Sequence, residues 1–221
     1  MPPVISIVGM GNVGKTTFIE RLVAELKSRG YRVATIKHAP AGMTFAEEGR
    51  DSWRHLQAGS AATAVSSPDK VVLVKPIATE LTLEEVARLL GEDYDIILAE
   101  GFKQSNAPKI EVHRRGVGPP LGDLTKLIAI ATDESLPTEA RQFSLDDIKG
   151  IADLLEKGFI QPQRERISLY VNNVPVVLTS FPREIITNVI LALASSLKGV
   201  GEISGIDISL RREAKPDRSQ K

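Results

Sequence analysis

Apolar and polar positions alternate along this chain with two different periods, and the period changes mark the expected elements. Val4-Ile5-Ser6-Ile7-Val8 is a short β-branched run that predicts a buried strand. Residues 17–29 repeat at helical spacing, with Phe18, Leu22, Val23 and Leu26 on one face and Gly30 as the stop. A second strand is expected over residues 31–37, followed by a Gly/Ala/Pro-rich loop over 39–49. Asp51 opens a short helix that Gly59 closes. Residues 62–66 and 70–75 read as two strands joined at Ser67-Pro68-Asp69, a hairpin inserted into the alternation. Thr82 with Glu85 three residues later predicts a capped helix over 82–90. Residues 94–99 and 127–131 are apolar and predict buried strands, whereas 109–114 alternates and predicts a strand with one wet face. A helix is expected over 144–157, capped by Ser144 and stopped by Gly158. Strands alternating with helices imply an α/β fold with a mostly parallel sheet.

Residues 161–166 are polar, contain Pro162, and read as a linker after a first domain over 1–160. Beyond them the pattern changes. Two short strands flank Asn172-Asn173, a helix is expected over 182–197, and 203–210 alternates like a strand. The expectation is a small β-β-α-β unit over 167–211, with a charged, disordered tail over 212–221.

The chemistry enters at Gly9-Met10-Gly11-Asn12-Val13-Gly14-Lys15-Thr16, which matches the phosphate-loop pattern G-x-x-x-x-G-K-[ST] in full. The loop follows a predicted strand and opens a predicted helix, which is the context the pattern requires. Its glycines let backbone N–H groups turn inward around a polyphosphate, and the helix N-terminus adds partial positive charge. Lys15 then reaches the β- and γ-phosphates, and the Thr16 hydroxyl coordinates Mg²⁺. The expected ligand is a nucleoside triphosphate on a P-loop fold.

In an open parallel sheet, ligands lie at the carboxyl ends of the strands, and this rule sorts the other candidates. Glu100 closes its strand at the ligand end, for the Mg²⁺ shell or for orienting a water, and Gly101 allows backbone approach to the γ-phosphate. Asp95 lies at the opposite end and is structural. Asp133 holds the corresponding place on the strand near residue 131. It either accepts the paired N–H donors of guanine or caps a turn. Asp51 either caps its helix or approaches the metal as a switch loop closes. Lys37 is placed to neutralise phosphate, with His38 beside it as a weaker candidate; Lys103 faces the same cleft or is simply exposed. Trp53 reads as core or interface, and His55 and His113 as solvated or packed. Three scattered histidines make no metal-ligand spacing.

Composition removes several classes. Lys+Arg and Asp+Glu both total 28, and this balance argues against a nucleic-acid binder. With no cysteine, zinc-thiolate sites, disulfides and a Cys nucleophile are excluded. The N-terminus runs straight into the first strand and residues 185–194 are too short to span a bilayer, so a cytoplasmic protein without membrane contact is expected. No Asn-Lys-x-Asp sequence is present, Met10 stands where loops that pair across a dimer carry a second lysine, and no arginine finger is assignable. Any hydrolysis is expected to be slow.

These residues resemble the molybdopterin-guanine dinucleotide biosynthesis adapter family, MobB. The likeness is carried by GMGNVGKTTF, YRVATIKH, GRDSWRHLQAGS, ILAEGFKQSNAPKIEVHR and IAIATDE, in order over residues 4 to 157. It implies GTP with Mg²⁺, weak GTPase activity at most, a homodimer, and cooperation with the molybdopterin guanylyltransferase that joins GMP to molybdopterin. Molybdopterin itself is a possible further ligand. By resemblance Gly11, Asn12, Val13, Gly14, Lys15, Thr16 and Thr17 hold the phosphates, Asp51 and Glu100 lie near the metal, and Asp133 lies near the base. The unit from Ile167 falls outside the family pattern and is expected to be an accessory extension, for dimerisation or for docking the transferase. Two other readings share the fold. One is a nickel-insertion GTPase, which usually shows Cys or His ligands that this chain lacks. The other is a small-molecule kinase with Glu100 or Asp51 as base.

Overall fold

The computed structural model describes residues 1–39, 51–163, 166–172 and 174–210. The expected loop after residue 39, part of the linker, Asn173 of the expected turn and the expected tail lie outside the described residues. The chain divides into two compact units, Met1–Arg166 and Ile167–Lys221.

The first unit is built on a six-stranded sheet of order β2-β5-β1-β6-β7-β8, in which every neighbouring pair is parallel. Its strands are β1 (Val4–Val8), β2 (Val33–Lys37), β5 (Ile96–Glu100), β6 (Lys109–Val112), β7 (Leu127–Thr132) and β8 (Gln142–Ser144). The inserted hairpin, β3 (Thr63–Ser66) with β4 (Val71–Val74), forms its own antiparallel sheet, preceded by α2 (Asp51–Gln57). β1 lies between β5 and β6, so the chain leaves the middle of the sheet and returns on both sides of it. The crevice of a parallel sheet opens at such a reversal.

Strand periodicity distributes the core over both faces. Ile5, Ile7, Ile96, Leu98, Ile110 and Val112 pack with Leu22 and Leu26 of α1 (Lys15–Ser28) and with Ile151 and Leu155 of α4 (Ile148–Leu155). On the other face Ala34, Ile36, Ile97 and Ala99 meet Leu83 and Ala87 of α3 (Leu83–Leu90). That helix starts on the expected capping box, Thr82 with Glu85.

The wet face expected over residues 109–114 is a correction. The alternation is there, but Lys109, Glu111 and His113 are 0%, 1% and 4% exposed. β6 is an interior strand between β1 and β7. Backbone groups before and after β6 partner Lys109 and Glu111, and a side chain beyond β7 partners His113. Lys109 Nζ donates to the carbonyls of Ser105, Ala107 and Thr125 at 2.6, 3.0 and 3.1 Å. Glu111 Oε1 accepts from Leu121 N at 2.7 Å, and His113 Nε2 meets Glu134 Oε1 at 2.8 Å. A polar stripe with period 2 marks water or buried backbone equally well.

Glu111 Oε2 is buried with no hydrogen-bond partner among the described residues. Burial pushes the Glu111 carboxyl above the ordinary glutamate value of 4.5, partly offset by the Leu121 N–H and by His113. The folded state therefore holds this proton where the unfolded chain releases it. The stability it contributes is fully present below about pH 4.5 and is lost as pH rises through the raised value. Glu111→Gln keeps an acceptor for Leu121 and removes the charge. Melting scans from pH 4 to 8 should show a flatter fall of Tm with rising pH in this variant than in the parent; equal slopes would overturn the assignment.

Three further expectations change. Residues 142–144 form a strand, and the helix begins at Ile148 with Asp147 as its cap, its side chain accepting from Gly150 N at 2.9 Å. Phe143 is buried, and its place in the sheet core outweighs the capping propensity of Ser144. Gly158 does not stop the helix. The chain widens into a π-helical turn, Glu156–Ile160, that brings Ile160 into the core, and a short 3₁₀ turn, Gln161–Gln163, follows. In the second unit β9 (Leu169–Val171) pairs with β10 (Val174–Val176), and α5 spans Ser180–Ser195. Residues 203–210 form no strand: the hairpin offers strands of only three residues, and Ile208 and Leu210 stay exposed.

Candidate nucleotide site

The loop between β1 and α1 folds as its glycines demand. A side chain at Gly9 would collide with the Val112 carbonyl of β6, so only glycine lets the loop leave the sheet here. Asn12 and Gly14 take left-handed backbone angles, φ 62° and 94°, and Gly14 is the N-terminal cap of α1. Val13 anchors the loop with a buried side chain, while Gly11 and Asn12 are exposed. Lys15 curls back over the loop, its Nζ donating to Met10 O at 2.7 Å and Gly9 O at 3.3 Å. Burial lowers the Lys15 pKa from the ordinary lysine value; Glu100 raises it, and Lys103 and Lys37 lower it further. Four charged side chains thus share one electrostatic neighbourhood at the ends of β1, β2 and β5.

Glu100 is its centre. It ends β5, and Thr16 Oγ1 donates to its two oxygens at 3.1 and 3.2 Å. Lys37 Nζ lies 3.8 Å from Glu100 Oε2 across the β2–β5 pair. One hydroxyl and one carboxylate fit Mg²⁺, which uses one or two protein oxygens and completes its octahedron with phosphate and water. Among the described residues no group of three or more His, Cys, Asp or Glu could hold a metal by itself. The Gly101 amide donates to Ile7 O at 3.0 Å and so serves the sheet, and its missing side chain makes room for His38. Lys103 is exposed.

His38 pairs with Glu80, Nε2 lying 2.5 Å from its Oε1, and its ring packs against Phe102. Asp51 pairs with Arg54 at 3.7 Å, and no contact joins it to Thr16 or Glu100. Trp53 is half-buried, and α2 has no buried residue. His55 is exposed, and Asp95 accepts from Arg32 N at 2.7 Å away from the site.

On the other side of the loop lies a cleft of about 270 Å³ between the start of α1 and the ends of β6, β7 and β8. Asp133 sits in its wall. Its Oδ1 accepts from Arg115 N at 2.7 Å, a bond that holds the carboxyl below the ordinary aspartate value, while Oδ2 lies 4.0 Å from Arg114 Nη1. Both readings of this residue therefore meet here, one oxygen closing a turn and the whole side chain lining a cleft. Gly14 and Thr17 line the near side. Arg21 closes the far side by bonding Asp146 Oδ1 at 2.8 Å and Leu145 O at 3.3 Å.

Arg114 and the turn after β8 are absent from the residues expected in the sequence. The turn was hidden by reading 144–157 as one helix. Arg114 had a signal: it shares the even-numbered face of Ile110 and Val112, one step past the strand at the ligand end.

Residues 4–133 match the family described as Molybdopterin guanine dinucleotide synthesis protein B, MobB. The chain belongs to this family. The MobB relative from Haemophilus influenzae, a molybdopterin-guanine dinucleotide biosynthesis adapter protein, is 34% identical over 70% of this chain and 88% of its own length. The Escherichia coli adapter protein is 33% identical over 70% of this chain and 92% of its own. A crystal structure of molybdopterin-guanine biosynthesis protein B aligns with a TM-score of 0.58 at 26% identity, covering 70% of this chain and 97% of the other. Bacillus subtilis MobB aligns with a TM-score of 0.53 at 28% identity, covering 71% and 98%. MobB relatives are thus spanned almost end to end while part of this chain remains unmatched. The P-loop α/β fold read from the strand order is the fold of this family.

Proposed function

We propose that this protein binds GTP with Mg²⁺ on the loop from Gly11 to Thr17 and serves as an accessory adapter in molybdenum cofactor biosynthesis, assisting the attachment of GMP to molybdopterin. The observation that carries the reading is the placement of two different chemistries on either side of one phosphate loop. On one side Lys15, Thr16, Lys37 and Glu100 supply cations and a metal shell. On the other, an ionised Asp133 lines a cleft next to Gly14 and Thr17. A carboxylate there accepts the N1–H and N2–H of guanine and finds no such pair of donors on adenine. Mg²⁺ would supply charge neutralisation between the phosphates, with Thr16 and Glu100 placed to hold it and Asp51 as a further expected ligand.

The partner enzyme in this reading is the molybdopterin guanylyltransferase, and the protein works as a cytoplasmic homodimer. Support for the dimer comes from the β3–β4 hairpin, which exposes Val65, Val71 and Leu73 on a sheet of two strands. Such a hairpin is marginal alone and gains stability by adding to another. Among the described residues no helix is long and apolar enough to cross a membrane.

Calorimetric titration with GTP and with ATP, each with Mg²⁺, tests the reading. The parent protein should prefer GTP, and Asp133→Asn should reduce the GTP-over-ATP ratio by about tenfold to a hundredfold, because charge-assisted bonds are lost. An unchanged ratio would falsify the base assignment. Rapid nucleotide consumption with a small-molecule acceptor would show a kinase instead.

A further inference from the structure

We infer that Arg114 is the residue that grips the α-phosphate of the bound nucleotide, delivered within the same chain from the end of β6. This deepens the GTP reading above and rests on it.

The loop's cations are unevenly placed. Lys15, Lys37 and Lys103 act on one another around Glu100, at the side where the metal shell is. The cleft on the other side has two arginines. Arg21 is committed to Asp146 and the Leu145 carbonyl. Arg114 is not. Its Nε reaches Val13 O only at 3.5 Å, and its Nη1 reaches Asp133 Oδ2 only at 4.0 Å. Both distances lie at the outer limit of a useful contact. A guanidinium carries five donors in a planar fork, and this one has made no short bond with any of them among the described residues.

Its position fixes which phosphate it meets. Nη2 lies 3.8 Å from where a side chain on Gly14 would begin, at the mouth of the loop, and Arg114 lines the cleft together with Gly14, Thr17 and Asp133. In a phosphate loop Lys15 takes the β- and γ-phosphates. The chain of the nucleotide then runs from the loop toward the base, and the first anionic group it presents beyond Gly14 is the α-phosphate. Arg114 stands between that group and the carboxylate assigned to the base. Pairing with the α-phosphate also removes the pull of Arg114 on Asp133 Oδ2 and leaves that oxygen to the ligand. Gly14 contributes by absence: a side chain there would reach into the same space.

The test is a set of affinities for GTP, GDP and GMP with the parent, Arg114→Ala and Arg114→Lys, with GMP measured by competition against a fluorescent GDP analogue. All three nucleotides share the α-phosphate. Arg114→Ala should weaken all three by a similar factor, about tenfold to a hundredfold, as expected for one charge-assisted contact. Arg114→Lys should recover part of the loss, since it restores charge without the fork. Melting temperatures without nucleotide should agree between the parent and Arg114→Lys, so an altered fold does not explain the result. The inference is overturned if the alanine variant binds GDP and GMP like the parent, or if only GTP binding suffers. A parent protein that binds none of the three overturns the GTP reading itself, an outcome distinct from either.

Discussion

Lys15→Ala should lose GTP affinity by about a hundredfold to ten-thousandfold, the loss expected for two charge-assisted hydrogen bonds to the β- and γ-phosphates. It should keep its fold. In the free protein the Lys15 ammonium bonds, among the described residues, Met10 O and Gly9 O, carbonyls of its own loop. Neither bond ties one element to another, so their removal leaves the sheet and α1 as they are. Binding replaces those carbonyls with phosphate oxygens, which also relieves the repulsion among Lys15, Lys37 and Lys103. The same crowding gives a pH signature. Only the protonated lysine grips phosphate, and its pKa in the free protein lies below the ordinary value of 10.5, chiefly through burial. GTP affinity should therefore decline with rising pH earlier than an ordinary lysine would dictate, and the alanine variant should lack this decline. Calorimetry across pH 7 to 10, with melting scans as the fold control, checks both statements. Affinity within threefold of the parent would remove Lys15 from the site.

What the sequence disclosed and what it hid have physical reasons. The phosphate loop was legible because its chemistry is local: glycines, a lysine and a hydroxyl at fixed spacing between a strand and a helix. Glu100 was legible because a strand-end acid next to glycine needs only the direction of the sheet. α3 announced itself through Thr82 and Glu85, a cap made within four residues. The failures concern long-range partners. Whether the polar face of β6 meets water depends on segments elsewhere in the chain, such as the one ending at Thr125. Whether residues 142–144 pair as a strand depends on an open edge of β7, which the local pattern of Ser144 and Asp147 does not report. The alternation at 203–210 had beside it in its own unit only a hairpin of three-residue strands. Arg114 belongs with these, since its role follows from where β6 ends relative to the loop after β1.

Lys109→Met should be the most damaging change away from the nucleotide. Lys109 is fully buried, and its Nζ donates to three carbonyls, at Ser105, Ala107 and Thr125. No carboxylate is among those partners. The ammonium acts as a rivet that fixes the segments before and after β6 to the strand between them. Methionine matches the shaft in length and leaves the buried Ala107 carbonyl without its donor, at about 1–3 kcal/mol, with smaller losses at the part-buried Ser105 and Thr125 carbonyls. Removing a poorly solvated charge offsets part of that. The net loss should be about 3 kcal/mol, at the upper end of ordinary single substitutions. For a unit of this size that corresponds to a fall in Tm of about 6–12 °C. The pH dependence has a defined sign. Burial, with Lys126 adding to it, lowers the Lys109 pKa in the folded state. Between that lowered value and the ordinary 10.5 the unfolded chain holds the extra proton, so parent stability rises with pH across the window, and the methionine variant lacks the rise. Lys109 does not face the phosphate loop, and what remains folded at low temperature should bind GTP within a few-fold of the parent. A Tm within about 2 °C of the parent would mean that these carbonyls find other donors and that the segments flanking β6, including the one carrying Lys103, are held by something else.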